Sequence, residues 1–162
     1  MELKIISGGV PKTLVEIAAR KKREAEKLAK REHDSHLTFD QVWCVFDIDE
    51  HPFVSEAKQQ AVDNGIRVAV SNPCFELWAL LHFQDQTAHI DRHAVQKLCK
   101  GHMPGYEKQL PYTQLRDRYE AASERAVRLS KMHLHRGTAG ANPSTTVSEL
   151  VATLLSQRAN WR

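Results

Sequence analysis

Two runs of β-forming residues, FDQVWCVFDID at 39–49 and IRVAVSN at 66–72, flank one stretch with helical spacing, VSEAKQQAVDNG at 54–65. Strand, helix and strand within about thirty residues make a βαβ unit, whose two strands lie parallel in one sheet. The near-continuous apolar centre of the first run reads as a strand covered on both faces. Asn64-Gly65 is a good helix stop. Few other features of the chain constrain its fold as strongly.

The remaining segments extend that unit mainly with helices. LKII at 3–6 is a short strand candidate, closed by Ser7, Gly8 and Gly9, and Pro11 can open a helix with the apolar stripe Leu14, Ile17 and Ala18. From Arg20 to Arg31 that helix turns to RKKREAEKLAKR and reads as projecting into solvent, with acid-base pairs on its face or a phosphate-binding surface. After IRVAVSN come the helical stretches PCFELWALLHF, DRHAVQKLCKG, PYTQLRDRYEAASERAVRLSKMHL and, beyond a Gly/Ala-rich turn, VSELVATLLSQRA. The expected fold class is α/β: a small parallel sheet flanked by helices, with a helical C-terminal half. Its 162 residues suit one domain, with 84–162 a mainly helical extension.

Composition bounds the chemistry only loosely. A net charge of +3 permits a nucleic-acid partner without requiring one. Three cysteines, Cys44, Cys74 and Cys99, lack CxxC spacing, which fits a reducing cytoplasm better than a disulfide or zinc framework. No membrane span or signal-peptide core is evident, so a cytoplasmic, membrane-free protein is expected.

The first strand ends in DIDE, with carboxylates at Asp47, Asp49 and Glu50. Function in open α/β sheets gathers at the carboxyl ends of parallel strands, and residues two apart on a strand share a side. Asp47 and Asp49 are therefore placed to share one hard cation, Mg²⁺ or Mn²⁺. The alternative is a polar loop whose acids cap the next helix. Asn72-Pro73 reads as an N-cap and first-turn pair, which puts Glu76 on a mostly apolar helix face beside Ala79, Leu80 and Phe83. A carboxylate there needs either a metal or a basic partner. Other residues leave two readings each. His89 and His93 are a zinc pair or surface groups, and Cys74 is an activated or a packed thiol. His51 and His82 are proton-transfer or structural groups. Lys108, Asn142, Ser144 and Thr145 hold a phosphate or serve solubility and capping.

The strings VWCVFDIDEH, GIRVAVSNPCFELWALLHF, the Tyr106-x-Lys108 element and NPSTTVSELV are similar, in this order and at compatible spacing, to the RloB-like family of bacterial restriction-modification and abortive-infection operons. The resemblance runs from about Leu14 to Leu155, and SNPCFELW is its most specific part. It implies a Toprim-like domain and a Mg²⁺-dependent nuclease of anti-phage defence that hydrolyses phosphodiesters of DNA or RNA. Asp47 and Asp49 match the Toprim Asp-x-Asp pair. Asp47, Asp49 and Glu76 would then be the catalytic residues, with Glu50 a further metal ligand and Ser71, Asn72 and Lys108 facing the substrate. The family's EGxxTE-like first segment has no counterpart here, because Glu2 is too early and Glu16 lies in a helix. A sheet without that strand would expose an edge to a second copy or a partner subunit. The alternative expectation is thus a non-catalytic accessory subunit of a defence or restriction-modification complex.

Overall fold

The computed structural model describes residues 4–6, 8–48, 51, 53–107 and 110–159. The chain divides into two compact units, 1–46 with 50–69, and 47–49 with 70–162.

In the first unit, helix α1 (Pro11–Glu32) starts with proline in its first turn and stops where His33 turns left-handed and gives its backbone N–H to Ala29. Strand β1 (Trp43–Asp47) follows, then α2 (Val54–Asp63) and β2 (Arg67–Asn72). α1 packs on α2, whose buried face carries only the small side chains Ala57 and Ala61. The basic half of α1 is not simply a solvated arm. Lys22 Nζ donates to the backbone oxygen of Asn64 at 2.8 Å, and Arg23 donates to the Asn64 side chain at 3.0 Å. Cations at the carbonyl end of α2 satisfy groups that the helix leaves without partners. Gly65 has a φ of +61°, and a Cβ there would come within 2.9 Å of Lys22 Nζ. The expected helix stop thus serves both the turn and this contact.

The backbone N–H of Arg67 donates to Val42, and that of Ile48 to Ser71, so β1 and β2 advance together and are parallel as expected. The sheet order is β1-β2-β3, with β3 (Ser144–Thr145) antiparallel to β2 through the pairs Ser71 with Thr145 and Asn72 with Ser144. NPSTT, read as a turn, supplies this short strand. The expectation that β1 is covered on both faces fails. Cys44 and Phe46 are buried whereas Val45 between them is exposed, the alternation of a strand with one open face. Residues 4–6 of LKII join no strand, and Ile5 is 81% exposed. Two β-formers, Ile5 and Ile6, without a paired ladder bury too little to order as a strand.

The second unit holds α3 (Glu76–Leu81), α4 (Arg92–His102), α5 (Tyr112–Leu115), α6 (Tyr119–His135) and α7 (Val147–Ala159). Leu77 to Leu81 of α3 are all buried, against α4 and α6. The helix expected across 111–134 is interrupted by a 3-10 turn at Arg116–Arg118. Two side-chain clasps fix the loop before β3. Asn142 accepts from the Ile90 N–H at 3.0 Å and donates to the Ile90 carbonyl at 2.8 Å, as a paired strand would. His133 Nε2 donates to the carbonyl of Pro143 at 3.0 Å, leaving Nδ1 for the Thr138 hydroxyl. Among the described residues no helix is long and apolar enough to cross a membrane.

His82 is enclosed at the end of α3, edge-on to Trp78, with Nδ1 donating to the Trp78 carbonyl at 2.8 Å. Burial holds its imidazole below the usual range. The carbonyls of Trp78 and Ala79 oppose that shift, while the charges of Arg125 and Arg118 add to it. The unfolded chain takes up the proton first as pH falls, so stability present above about pH 6.5 is lost below it. The melting temperature is expected to drop between about pH 7.5 and about pH 5.5, and to drop less in His82→Gln. Equal slopes in the two proteins would remove His82 as the cause.

Candidate functional site

The second unit gathers the carboxyl ends of the parallel strands with the starts of α3 and α4. Asp47 is the last residue of β1, and the Ile48 N–H bond to the Ser71 carbonyl, 2.8 Å, keeps the chain beside β2 just beyond it. The Asp47 side chain is 25% exposed and meets Arg92 Nη2 at 3.5 Å. Arg92 opens α4 behind Asp91, whose carboxylate caps the Ala94 N–H at 2.9 Å.

Glu76 is the first residue of α3, not its fourth. β2 continues through Asn72, which pairs with Ser144, so the chain has not yet turned into a helix where the N-cap was expected. The Asn72 side chain instead donates to the Gly140 carbonyl at 3.0 Å. Burial alone would raise the carboxyl pKa of Glu76. Its own backbone N–H and donation from Cys74, Gln96 and Tyr106 outweigh that, and the group lies below its ordinary value. The Gln96 amide contributes at 3.1 Å. Glu76 thus stays ionised through neutral donors among the described residues. Beside it opens a cleft of about 260 Å³ lined by Glu76, Gln96, Lys100, Tyr106 and Glu107.

Cys74 ties the two acids together. Burial pushes its thiol up, and the charges of Glu76 and then Asp47 push it further, so both carboxylates act on one sulfur. The thiol is 1% exposed, which makes it a packed donor to Glu76 and not an activated nucleophile. Cys99 donates to the Glu76 carbonyl at 3.4 Å and is raised to about 12, first by burial and then by Glu76. Burial likewise raises Cys44 to about 11. Native protein is therefore expected to show almost no fast reaction with Ellman's reagent at about pH 8, and three thiols after unfolding. A rapidly labelled native thiol would contradict this packing.

The other expected residues are distributed as follows. Ser71 is enclosed, and its hydroxyl is shared with that of Thr145 at 2.8 Å. Thr146 Oγ1 accepts from the Val70 N–H, and Asn142 clasps Ile90, so NPSTT builds the sheet end. His51, His89 and His93 are exposed. Asp49, Glu50 and Lys108 lie outside the described residues.

Among the described residues no three or more His, Cys, Asp or Glu side chains come together as a metal cage. A closed zinc-type site is not built from them. The donor chemistry at Asp47 does fit Mg²⁺ or Mn²⁺, which takes one or two carboxylates and fills its other positions with water.

Arg92 and Gln96 escaped sequence reasoning, and Tyr106, named there only in its Tyr-x-Lys element, was not read as a donor to Glu76. Arg92 and Gln96 are four apart on α4, so one helical face brings a donor to each carboxylate, a spacing visible in DRHAVQKLC. What the spacing lacks is any sign that this face meets Asp47 and Glu76. No curated protein and no solved structure matches the chain. The family model for RloB-like proteins matches residues 4–154. With that match covering most of its length, the chain belongs to the RloB-like family.

Proposed function

We propose that this protein is a Mg²⁺- or Mn²⁺-dependent nuclease of bacterial anti-phage defence, of Toprim-like type, hydrolysing phosphodiester bonds of DNA or RNA. One observation carries the reading: Asp47, at the carboxyl end of a parallel strand, and Glu76, held ionised at the start of α3, both act on Cys74. Asp47, with Asp49 and Glu50, would hold the cation, with Glu76 contributing a fixed negative charge. A bound divalent ion would supply charge stabilisation for the transferring phosphate and an acidified water. Asp47 is partly exposed and able to take an incoming ligand. Gln96, Tyr106 and Cys74 keep Glu76 deprotonated, which leaves it fit to accept a hydrogen bond from an attacking water. Ser71, enclosed against Thr145, sets the end of β2, and Asn72 with Lys108 forms the proposed substrate side.

Supercoiled plasmid, single-stranded DNA and bulk transfer RNA, each incubated with protein in Mn²⁺, Mg²⁺ or EDTA, test this reading. Cleavage of at least one substrate, abolished by EDTA, is expected. Intact substrates in every metal would count against it.

A second reading is favoured by the sheet edge: a non-catalytic subunit that binds a second copy or another defence protein. β1 is an end strand among the described residues, beside a groove of about 120 Å³ lined in part by Leu14, Ile17, Phe39, Val42 and Trp43. Such an edge accepts a further strand. A concentration-independent monomer mass in light scattering would remove self-association from this reading.

A further inference from the structure

We infer that Arg92 is the resident counter-ion of Asp47 and sets the affinity of the acidic site for a divalent cation, exchanging its place on the carboxylate with the incoming metal. The inference rests on the metal-dependent reading above. Four features place Arg92 in that role. Its Nη2 lies 3.5 Å from Asp47 Oδ2, on the carboxylate proposed to take the metal. It occupies the first position of an eleven-residue helix, where the macrodipole disfavours a cation, so this side chain gains little from its own helix. Its backbone is fixed on both sides, by the Asp91 cap on Ala94 and by the two-bond clasp of Asn142 on Ile90, so its side chain starts from a set place beside Asp47. Gln96, one turn on, makes the matching contact to Glu76, so α4 supplies a charged donor to one acid and a neutral donor to the other.

The difference between those donors has a chemical consequence. A neutral amide leaves the negative charge of Glu76 in place, whereas a guanidinium offsets part of that of Asp47. A divalent ion approaching Asp47 must displace or repel a positive charge, and a long arginine side chain can swing away while its backbone stays fixed. The negative charge of Asp47 is thereby partly offset without metal, and the offset is released when the cation arrives.

Isothermal titration of Mn²⁺ into the full chain, Arg92→Gln and Arg92→Lys tests this. Arg92→Gln is expected to bind Mn²⁺ about 5-fold or more tightly than the parent, while Arg92→Lys, which keeps the charge, stays within about 2-fold of it. Tighter binding in Arg92→Gln, or binding there when the parent shows none, supports the exchange. Equal or weaker binding in Arg92→Gln, with the parent binding normally, overturns the role of Arg92 and leaves the metal-dependent reading standing. No binding in any of the three proteins overturns both.

Discussion

Asn in place of Asp47 is expected to lower metal-dependent nucleic-acid cleavage by about 100-fold or more while leaving the melting temperature nearly unchanged. The two halves of that expectation have separate causes. Cleavage falls because the amide offers a neutral oxygen where the proposed cation needs a charged one, at the end of β1. Stability holds because the ion pair of Asp47 with Arg92 joins two partly exposed groups 3.5 Å apart, and pairs open to solvent contribute about 1 kcal/mol or less. Cleavage rates and melting curves on the same preparations read both. An Asp47→Asn protein that cleaves like its parent removes Asp47 from the mechanism. A protein that unfolds instead would mean that the ion pair is structural.

Leu80→Ala should destabilise the second unit by about 2–5 kcal/mol, the range for emptying a well-packed leucine site. Leu80 is 0% exposed in a six-residue helix whose residues 77–81 are all buried, so the neighbours from α4 and α6 have little room to collapse into the space. The effect should reach the candidate site, because the same short helix begins with Glu76. Urea unfolding followed by tryptophan fluorescence, with Trp78 in the same helix as Leu80, measures it. A loss under about 1 kcal/mol would mean that α3 does not anchor this unit.

The parts of the fold legible in the sequence are those governed by local chemistry. FDQVWCVFDID and IRVAVSN gave parallel strands, Asn64-Gly65 ended α2, and VSELVATLLSQRA became α7 over the expected residues. Tertiary pairing decided the rest. Ser144 and Thr145 are a strand because Ser71 and Asn72 are there to pair with them, over seventy residues away. The same pairing holds Asn72 in the sheet and delays α3 to Glu76, against a good local N-cap signal. LKII had the local propensity, but its described residues 4–6 joined no strand.

The site divides in the same way. Residue type and strand position pointed to Asp47, and an acid on an apolar face pointed to Glu76 as a group needing compensation. The compensation itself was hidden. Gln96 and Tyr106 follow Glu76 by twenty and thirty positions, with nothing local to mark them as its donors. Arg92 was equally invisible, because a basic residue opening a helix looks like a surface group until Asp47 is seen beside it. Membership of the RloB-like family agrees with the resemblance read from SNPCFELW and its flanking strings.

The most direct test of a metal site at the end of β1 is calorimetric titration of Mn²⁺ into the purified protein and into its Asp47→Asn variant. Saturable binding in the parent that is lost in the variant is the predicted result. Absence of binding in both, or equal binding in both, would contradict it.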